Sequence, residues 1–392
     1  MMAGFLLARA GVDVVILEKH ADFLRDFRGD TVHPSTLELM NELGILEEFL
    51  KLPHQEVREL AGKVGGETVK VADFTHLPTR CKFLALMPQW DFLNFLVDQG
   101  KRYSGFQVKM RSEATGLIEQ EGRIIGVSAK TPDGPMEIRA SLTLGADGRH
   151  SIVRERAGLQ VMDLGAPMDV LWMRISRRPT DPGQTLGHVE SGKIFVMIDR
   201  EDYWQCGFVI PKGGADEIRK GGIEQFREDI ASLEPFLRDR LTELRDWNDV
   251  SLLTVKVDRL RQWWRPGLLC IGDAAHAMSP IGGVGINLAI QDAVAAANIL
   301  ESKLAAGNLG DHDLQAVQQR REFPTRATQR LQLVLQNNVI RRVLASTKPL
   351  TLPLLLKLVQ KWPPLRRIPA RVIGIGFRPE HVSSPERPRP HP

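Results

Sequence analysis

The chain has 392 residues, 43% of them hydrophobic and 26% charged, with a formal net charge of +4. Such a length exceeds one ordinary core and implies two domains, and the composition excludes a disordered or collagen-like chain. The cysteines Cys81, Cys206 and Cys270 stand far apart with no CxxC pair or Cys/His cluster, which argues against a disulfide framework or zinc site and for a reducing cytoplasm. Neither a signal peptide, nor a run of roughly 18 apolar residues, nor an internal repeat is expected from the pattern.

In chain order, Met1 to Ala10 is predicted as a helix stopped by Gly11, and Val12 to Leu17 as a buried strand ending at Glu18. The loop carrying Arg28 leads to Ser35 and Glu38, spaced as a capping box, and to a helix over Leu37–Leu43 closed by Gly44. Residues 57–87 read as strands, with turns at Gly65-Gly66 and Pro78. Pro88-Gln89 then opens a helix with Leu93 and Leu96 on its core side. Residues 106–145 give three β-stretches, F-Q-V-K-M, R-I-I-G-V-S-A-K and M-E-I-R-A-S-L-T-L-G. The end of the third stretch leads into Asp147-Gly148, Ser151 and Arg154.

Over residues 160–260, strand-like runs (Val170–Ile175, Ile194–Ile198, Tyr203–Ile210, Val250–Val257) surround a helical stretch from Gly221 to Leu244. Trp172, Met173, Phe195, Met197, Trp204 and Phe208 are candidates to line a pocket. Aromatic residues favour strands in any case, so plain sheet core is the stronger reading.

The stretch Leu268–Asn287 organises the chain: L-L-C-I-G-D-A-A-H-A-M-S-P-I-G-G-V-G-I-N. A buried strand runs into Gly272-Asp273, then a loop with Pro280, Gly282, Gly283 and Gly285. Asn287 introduces an Ala-rich helix reaching about Ala306. Glycines let a flat or anionic ligand approach the backbone, and a helix N-terminus offers free N–H groups and a positive dipole end. Asp273 can accept hydrogen bonds from hydroxyls. Alone, this is a βα turn of any α/β domain.

Gln315–Leu344 is predicted helical with a break at Pro324. No acidic residue lies between Glu322 and Glu380, and Leu350–Leu358 sits among Lys348, Lys357, Lys361, Arg366 and Arg367. Such a segment either caps the sheet domain, the favoured reading, or makes peripheral contact with an anionic membrane surface. The closing S-S-P-E-R-P-R-P-H-P is expected to be disordered.

Taken together, the D-G…S…R motif (Asp147, Gly148, Ser151, Arg154) and the later G-D…P-x-x-G-x-G-x-N (Gly272, Asp273, Pro280, Gly283, Gly285, Asn287) resemble the flavoprotein aromatic monooxygenases of the para-hydroxybenzoate hydroxylase fold. The resemblance covers roughly residues 1–305. It implies an α/β fold: a Rossmann-like FAD-binding domain lacking its first strand, interleaved with a mixed β-sheet substrate domain and followed by a C-terminal helical tail. The expected parts are 1–159 and 261–306 for FAD, 160–260 for substrate, 307–378 helical and 379–392 disordered.

The strand and G-x-G-x-x-G turn that should precede the first helix are not in the chain as given, which is the largest departure and suggests truncation at the N-terminus. By the same resemblance, Glu18 would hold the adenosine ribose and Arg28 the diphosphate. Gln89 would meet the ribityl–phosphate region, and Asp147 and Gly148 both FAD and NAD(P)H. Asp273 would take a ribityl hydroxyl, and Pro280, Gly283, Gly285 and Asn287 the flavin's pyrimidine edge. The activity implied is NAD(P)H-driven hydroxylation by molecular oxygen, through a flavin hydroperoxide, of a hydrophobic or aromatic small molecule. No side-chain nucleophile or metal is required, and His276 reads as a positional or solvent-facing residue and not as a catalytic base. A reductase or dehydrogenase on the same fold, or a pseudoenzyme without FAD, stays open. Trp263-Trp264-Arg265-Pro266 departs from the W-x-W-x-I-P of flavin halogenases, and no nucleic-acid module is recognised.

Overall fold

In the computed structural model, which describes residues 1–24, 31–182 and 186–387 (the backbone alone at Leu186 and Leu355), helix α1 spans Met2–Arg9 and buries Phe5, Leu6 and Leu7. Gly11, at φ +83°, ends it in the left-handed conformation that a side chain resists. Strand β1 (Val14–Leu17) comes next, then α2 (Pro34–Glu42), β2 (Glu59–Val64), β3 (Glu67–Asp73), α3 (Gln89–Gly100) and β4 (Phe106–Lys109). The expected capping box is not formed. His33 is the N-cap of α2 and Pro34 its first residue, while the Glu38 carboxylate accepts from Asn41 Nδ2 and the Arg80 amide.

β1 and β4 pair in parallel from Val14↔Phe106 to Leu17↔Lys109. The stretch F-Q-V-K-M therefore belongs to this parallel pair and not to the β-meander. The meander is β5 (Glu113–Gln120), β6 (Arg123–Thr131) and β7 (Gly134–Arg139), all antiparallel. Beyond it, β8 (Thr143–Gly145) leads through α4 (Ile152–Arg156) to β9 (Met168–Ser176), β10 (Leu186–Glu190), β11 (Lys193–Asp199) and β12 (Tyr203–Pro211). Helix α5 (Gly222–Leu233) gives way to a 3-10 segment at Pro235, where the proline removes a helical donor. Short β13 (Ser251–Leu253) and β14 (Leu268–Cys270) precede the long α6 (Gly285–Ala305). β8 and β14 pair in parallel, and β1 and β8 share no ladder.

The second layer is a seven-stranded sheet in the order β13-β9-β12-β11-β10-β2-β3. Its parallel pairing of β2 with β10, at His188↔Lys63 and Val189↔Val64, brings residues 59–73 into the sheet built mainly by residues 160–260, although their sequence position grouped them with 1–159. One face, carrying Met173, Phe195, Met197, Trp204 and Phe208, packs on Phe226 and Ile230 of α5. These five side chains are therefore sheet core. Trp172 lies on the opposite face, which packs with Val170 and Val209 against Ile281, Ile340 and Val343.

Helix α7 (Asp311–Leu335) runs unbroken through Pro324, contrary to the expected break, and continues through a π turn, Gln336–Ile340, to Leu344. Arg321, one turn before the proline, is fully buried and ion-paired, which anchors the helix where the proline weakens it. Helix α8 (Leu354–Lys361) caps the sheet: the Gln360 amide donates to Lys70 O and accepts from Lys70 N, completing the edge of β3. Its Leu354 and neighbouring Trp362 stay exposed. Helix α9 (Arg367–Gly374) sets Ala370 and Ile373 against Phe74 and Leu77.

The tail is not disordered over 379–387. Glu380 and Ser384 are buried, Asn298 Oδ1 accepts from the amides of Ser383 and Ser384, and Arg9 donates to Ser384 O. Residues 388–392 lie outside the described chain. Ile281–Ala305 is long and apolar enough to cross a bilayer by length and composition, yet 56% of its apolar window is buried, as befits a core helix.

Candidate cofactor site

Because β8 and β14 are adjacent and parallel, Asp147-Gly148 and Gly272-Asp273 both fall at carboxyl ends of neighbouring strands, where open α/β sheets bind ligands. Gly148 (φ +85°) turns the chain after β8. Asp147 secures the start of the next helix, α4: its carboxylate accepts from Ser151 Oγ and from the Val153 amide, and Ser151, N-cap of α4, accepts from the Arg154 amide. Arg154 ties the two motifs together. Its guanidinium bonds to Asp258 at 3.3 and 3.4 Å, to Arg149 O, and to Ala274 O at 3.4 Å, within the turn just beyond Asp273. Asp258 also accepts from the Ala277 amide.

That turn is held from beneath by a buried ionic cluster. Asp292 of α6 accepts from the Gly272 amide at 3.0 Å, from His276 Nε2 at 2.6 Å and from Arg321 Nε at 2.9 Å. Arg321 continues to Glu380, which Arg320 also grips through two nitrogens. Burial alone would raise the Asp292 pKa, but the neighbouring His276 and Arg321 hold it below the ordinary carboxylate value. His276 is 1% exposed and lies against Trp263, so it does not face solvent, one of the two places the sequence left open for it. Gly272 sits at φ +59°, where an added Cβ would meet Ala289 Cβ at 2.9 Å.

The Gly-rich loop has its own supports. Gly283 (φ +60°) passes so close to Thr31 that a Cβ would lie 2.8 Å from its Oγ1. Asn287 is used up in fixing this approach. Its Oδ1 accepts from the His33 amide and Thr36 Oγ1, and its Nδ2 donates to Thr31 O and Gly283 O. What Asn287 leaves for a ligand is its backbone amide, one of the three (Gly285, Ile286, Asn287) at the start of α6 with no helical acceptor. Behind the loop, Gln329, Gln332 and Gln336 of the α7 face bond to Asp258 O, Ala277 O, Ser279 and Ile281 O. Sequence pattern did not single out these glutamines, Asp292 or Arg321. The available signal was polar residues recurring at helical spacing (329, 332, 336).

Of the remaining predicted site residues, Glu18 closes β1 and accepts from the His20 amide. Gln89 is the first residue of α3 and half-buried. Pro280 is exposed, Asp273 partly so. Arg28 lies outside the described residues. These features fit the flavin side of FAD. Left-handed glycines and a Gly285 whose nearest neighbour for an added Cβ is Met278 at 3.8 Å leave room for a flat ring, and unpaired amides await its acceptors.

Comparison with known proteins agrees. An FAD binding domain family model matches residues 1–331. The chain is 31% identical over 348 residues to a 6-methylpretetramide 4-monooxygenase of Streptomyces rimosus, covering 88% of this chain and 83% of that one. It is 26% identical over 308 residues to a dialkyldecalin synthase of Streptomyces rugosporus, of which it spans only 61%. The crystal structure of a probable FAD-dependent monooxygenase, pqsL, of Pseudomonas aeruginosa superposes with a TM-score of 0.73 at 21% identity, over 87% of this chain and 93% of that one, a likeness of fold. The chain thus belongs to the FAD binding domain family, that of the FAD-dependent aromatic monooxygenases.

Proposed function

We propose that the protein is a cytoplasmic FAD-dependent monooxygenase that uses NAD(P)H and molecular oxygen to hydroxylate an aromatic, polyketide-like small molecule. In balance, substrate C–H, O2, NAD(P)H and a proton give C–OH, water and NAD(P)+. The observation that carries the reading is the Arg154 bridge, which holds the Asp147-Gly148 turn and the Gly272-Asp273 turn together beside the α6 N-terminus. The relative acting on 6-methylpretetramide supports the substrate class.

FAD, when bound, supplies the electron transfer and oxygen activation. The chain's own part is placement and electrostatics. Asp273 takes a ribityl hydroxyl, and Glu18 the adenosine ribose. Gln89 meets the ribityl–phosphate region, Asp147 and Gly148 meet both FAD and NAD(P)H, and Arg28, outside the described residues, is assigned the diphosphate from its sequence position alone. Pro280, Gly283, Gly285 and the Asn287 amide meet the pyrimidine edge, where the helix dipole favours negative charge. The sheet face carrying Trp172, packed beside Ile281 of the loop, is an apolar wall offered to substrate.

The visible spectrum of the chain incubated with FAD and desalted tests the first step. Retained flavin bands are expected, and Asp273→Ala should weaken FAD binding about tenfold, as for one lost hydrogen bond. A colourless protein would sink the assignment for this chain. Under turnover with NAD(P)H, peroxide without hydroxylated product would favour a reductase or dehydrogenase instead.

A further inference from the structure

On the far side of the Gly-rich loop from the seven-stranded sheet lies a cavity of ≈ 100 Å³ with no residue of that sheet in its wall. Ile281, Gly282 and Val284 of the loop bound it on one side, α6 and α7 on two others, and residues 372–379 close the last. The wall is mostly apolar, with Leu288, Leu331, Leu335, Ile373 and Phe377 prominent. Leu331 and Leu335 are exposed and form its mouth.

Two polar side chains in this wall are buried, and one of them, Gln291, is incompletely satisfied among the described residues. Gln291 is 5% exposed; its Oε1 accepts from the Glu380 amide, but its Nε2 has no hydrogen-bond partner. His33 is 1% exposed; its Nδ1 bonds to Ile373 O at 2.7 Å, and the Gly282 backbone also faces its ring. A buried amide donor left unpaired is costly, and native interiors rarely tolerate one without a water or a ligand. Arg321 also borders the cavity, but Asp292 and Glu380 neutralise it, so the site offers no free charge. Gln332 and Thr328 are engaged by protein carbonyls.

We propose that this cavity is a second small-molecule site, taking an uncharged, largely apolar compound of monocyclic size whose oxygen accepts the Gln291 Nε2 hydrogen. A dry cavity of roughly 150 Å³ holds a benzene ring, so this smaller one would enclose the carbonyl end of a single-ring compound and leave part of the ring in its open mouth. The site stands independently of the flavoenzyme reading.

The test is ligand-observed NMR titration of the full chain with acetophenone, and with ethylbenzene as the analogue lacking the acceptor, each with and without FAD. Expected are saturable acetophenone binding, affinity for ethylbenzene weaker by about fivefold, and loss of that difference in Gln291→Leu. Leu331→Trp, an exposed substitution that narrows the mouth without touching the polar partners, should weaken both ligands by about tenfold. FAD should change neither affinity. Absence of saturable binding overturns the proposal, as does binding indifferent to Leu331→Trp, which would put acetophenone elsewhere. Displacement by FAD would make the cavity part of the cofactor's bed and also overturn it. Should Gln291→Leu fail to fold, the Leu331→Trp and FAD arms decide the matter.

Discussion

Asp292 is wholly buried and has the amide of Gly272, the ring of His276 and the guanidinium of Arg321 as its donors. A buried carboxylate so placed is stabilising only while its partners remain, and removing one member of a buried pair costs about 3–5 kcal/mol because the other charge is stranded. Asp292→Ala should therefore lower the unfolding free energy, read by urea titration, by an amount in that range. It should also release the Gly272-Asp273 turn, so that FAD retention falls further than stability alone explains. A variant of normal FAD affinity would show that the cluster serves folding only.

His33 makes a pH prediction at the same scale. Burial, the largest influence, pushes its pKa from 6.5 down to about 4, so the folded state holds the ring neutral. The unfolded chain binds the proton first, so this contribution is complete above pH 6.5 and is lost as the pH falls from 6.5 towards 4. Stability at pH 5 should be lower than at pH 7 by about 2 kcal/mol on this account. His33→Asn should flatten that part of the profile, as read by urea midpoints at the two pH values.

At the scale of elements, the Gly-rich loop is positioned by three neighbours that touch it from different parts of the chain: Thr31, Asn287 and the α7 glutamines. Gly283→Ala would both strain a left-handed backbone and drive a Cβ to 2.8 Å from Thr31 Oγ1. The expected cost is about 1–2 kcal/mol in stability, with weaker FAD binding because the loop must move. Gln332→Leu should act differently. It leaves the Ser279 amide and carbonyl unpaired in the interior, about 1–3 kcal/mol, while the glycine geometry stays intact. Equilibrium unfolding of the two variants, alongside FAD titration, separates the two effects. The loop itself was legible, since proline and spaced glycines before an Ala-rich run have few structural meanings. Its supports were not. Gln329, Gln332 and Gln336 look like solvated polar positions until α6 and the Asp258–Ile281 segment are folded beneath them. The unbroken helix through Pro324 has the same cause, because Arg321 is locked in place by residues 29 and 59 positions away.

For the whole molecule, local pattern identified most elements but misassigned their company. F-Q-V-K-M was recognised as a strand, yet its partner β1 lies some 90 residues upstream, beyond anything that spacing reveals. Residues 59–73 likewise read as strands of the cofactor part, whereas β2 and β3 extend the seven-stranded sheet through the β2–β10 pairing. Composition misjudged the tail for a related reason: prolines and arginines predict disorder unless Glu380 and Ser384 have places to go, and Arg320, Arg321 and Asn298 supply them. This interleaving makes a prediction about autonomy. The segment 160–260 contains five of the seven strands and the α5 layer, the part that the sequence marked off as one domain. In the molecule, however, excision would leave β10 as an unpaired edge, and would strip Ile281, Ile340 and Val343 from the face carrying Val170 and Val209. An exposed edge together with an uncovered apolar face favours aggregation over a folded monomer. The excised segment should show poor amide dispersion by NMR and self-association on sedimentation, and appending residues 55–76 should correct the edge but not the face. A monomeric, well-dispersed spectrum from 160–260 alone would mean that α5 and its core suffice, and that β2, β3 and the C-terminal helices merely decorate a domain already complete.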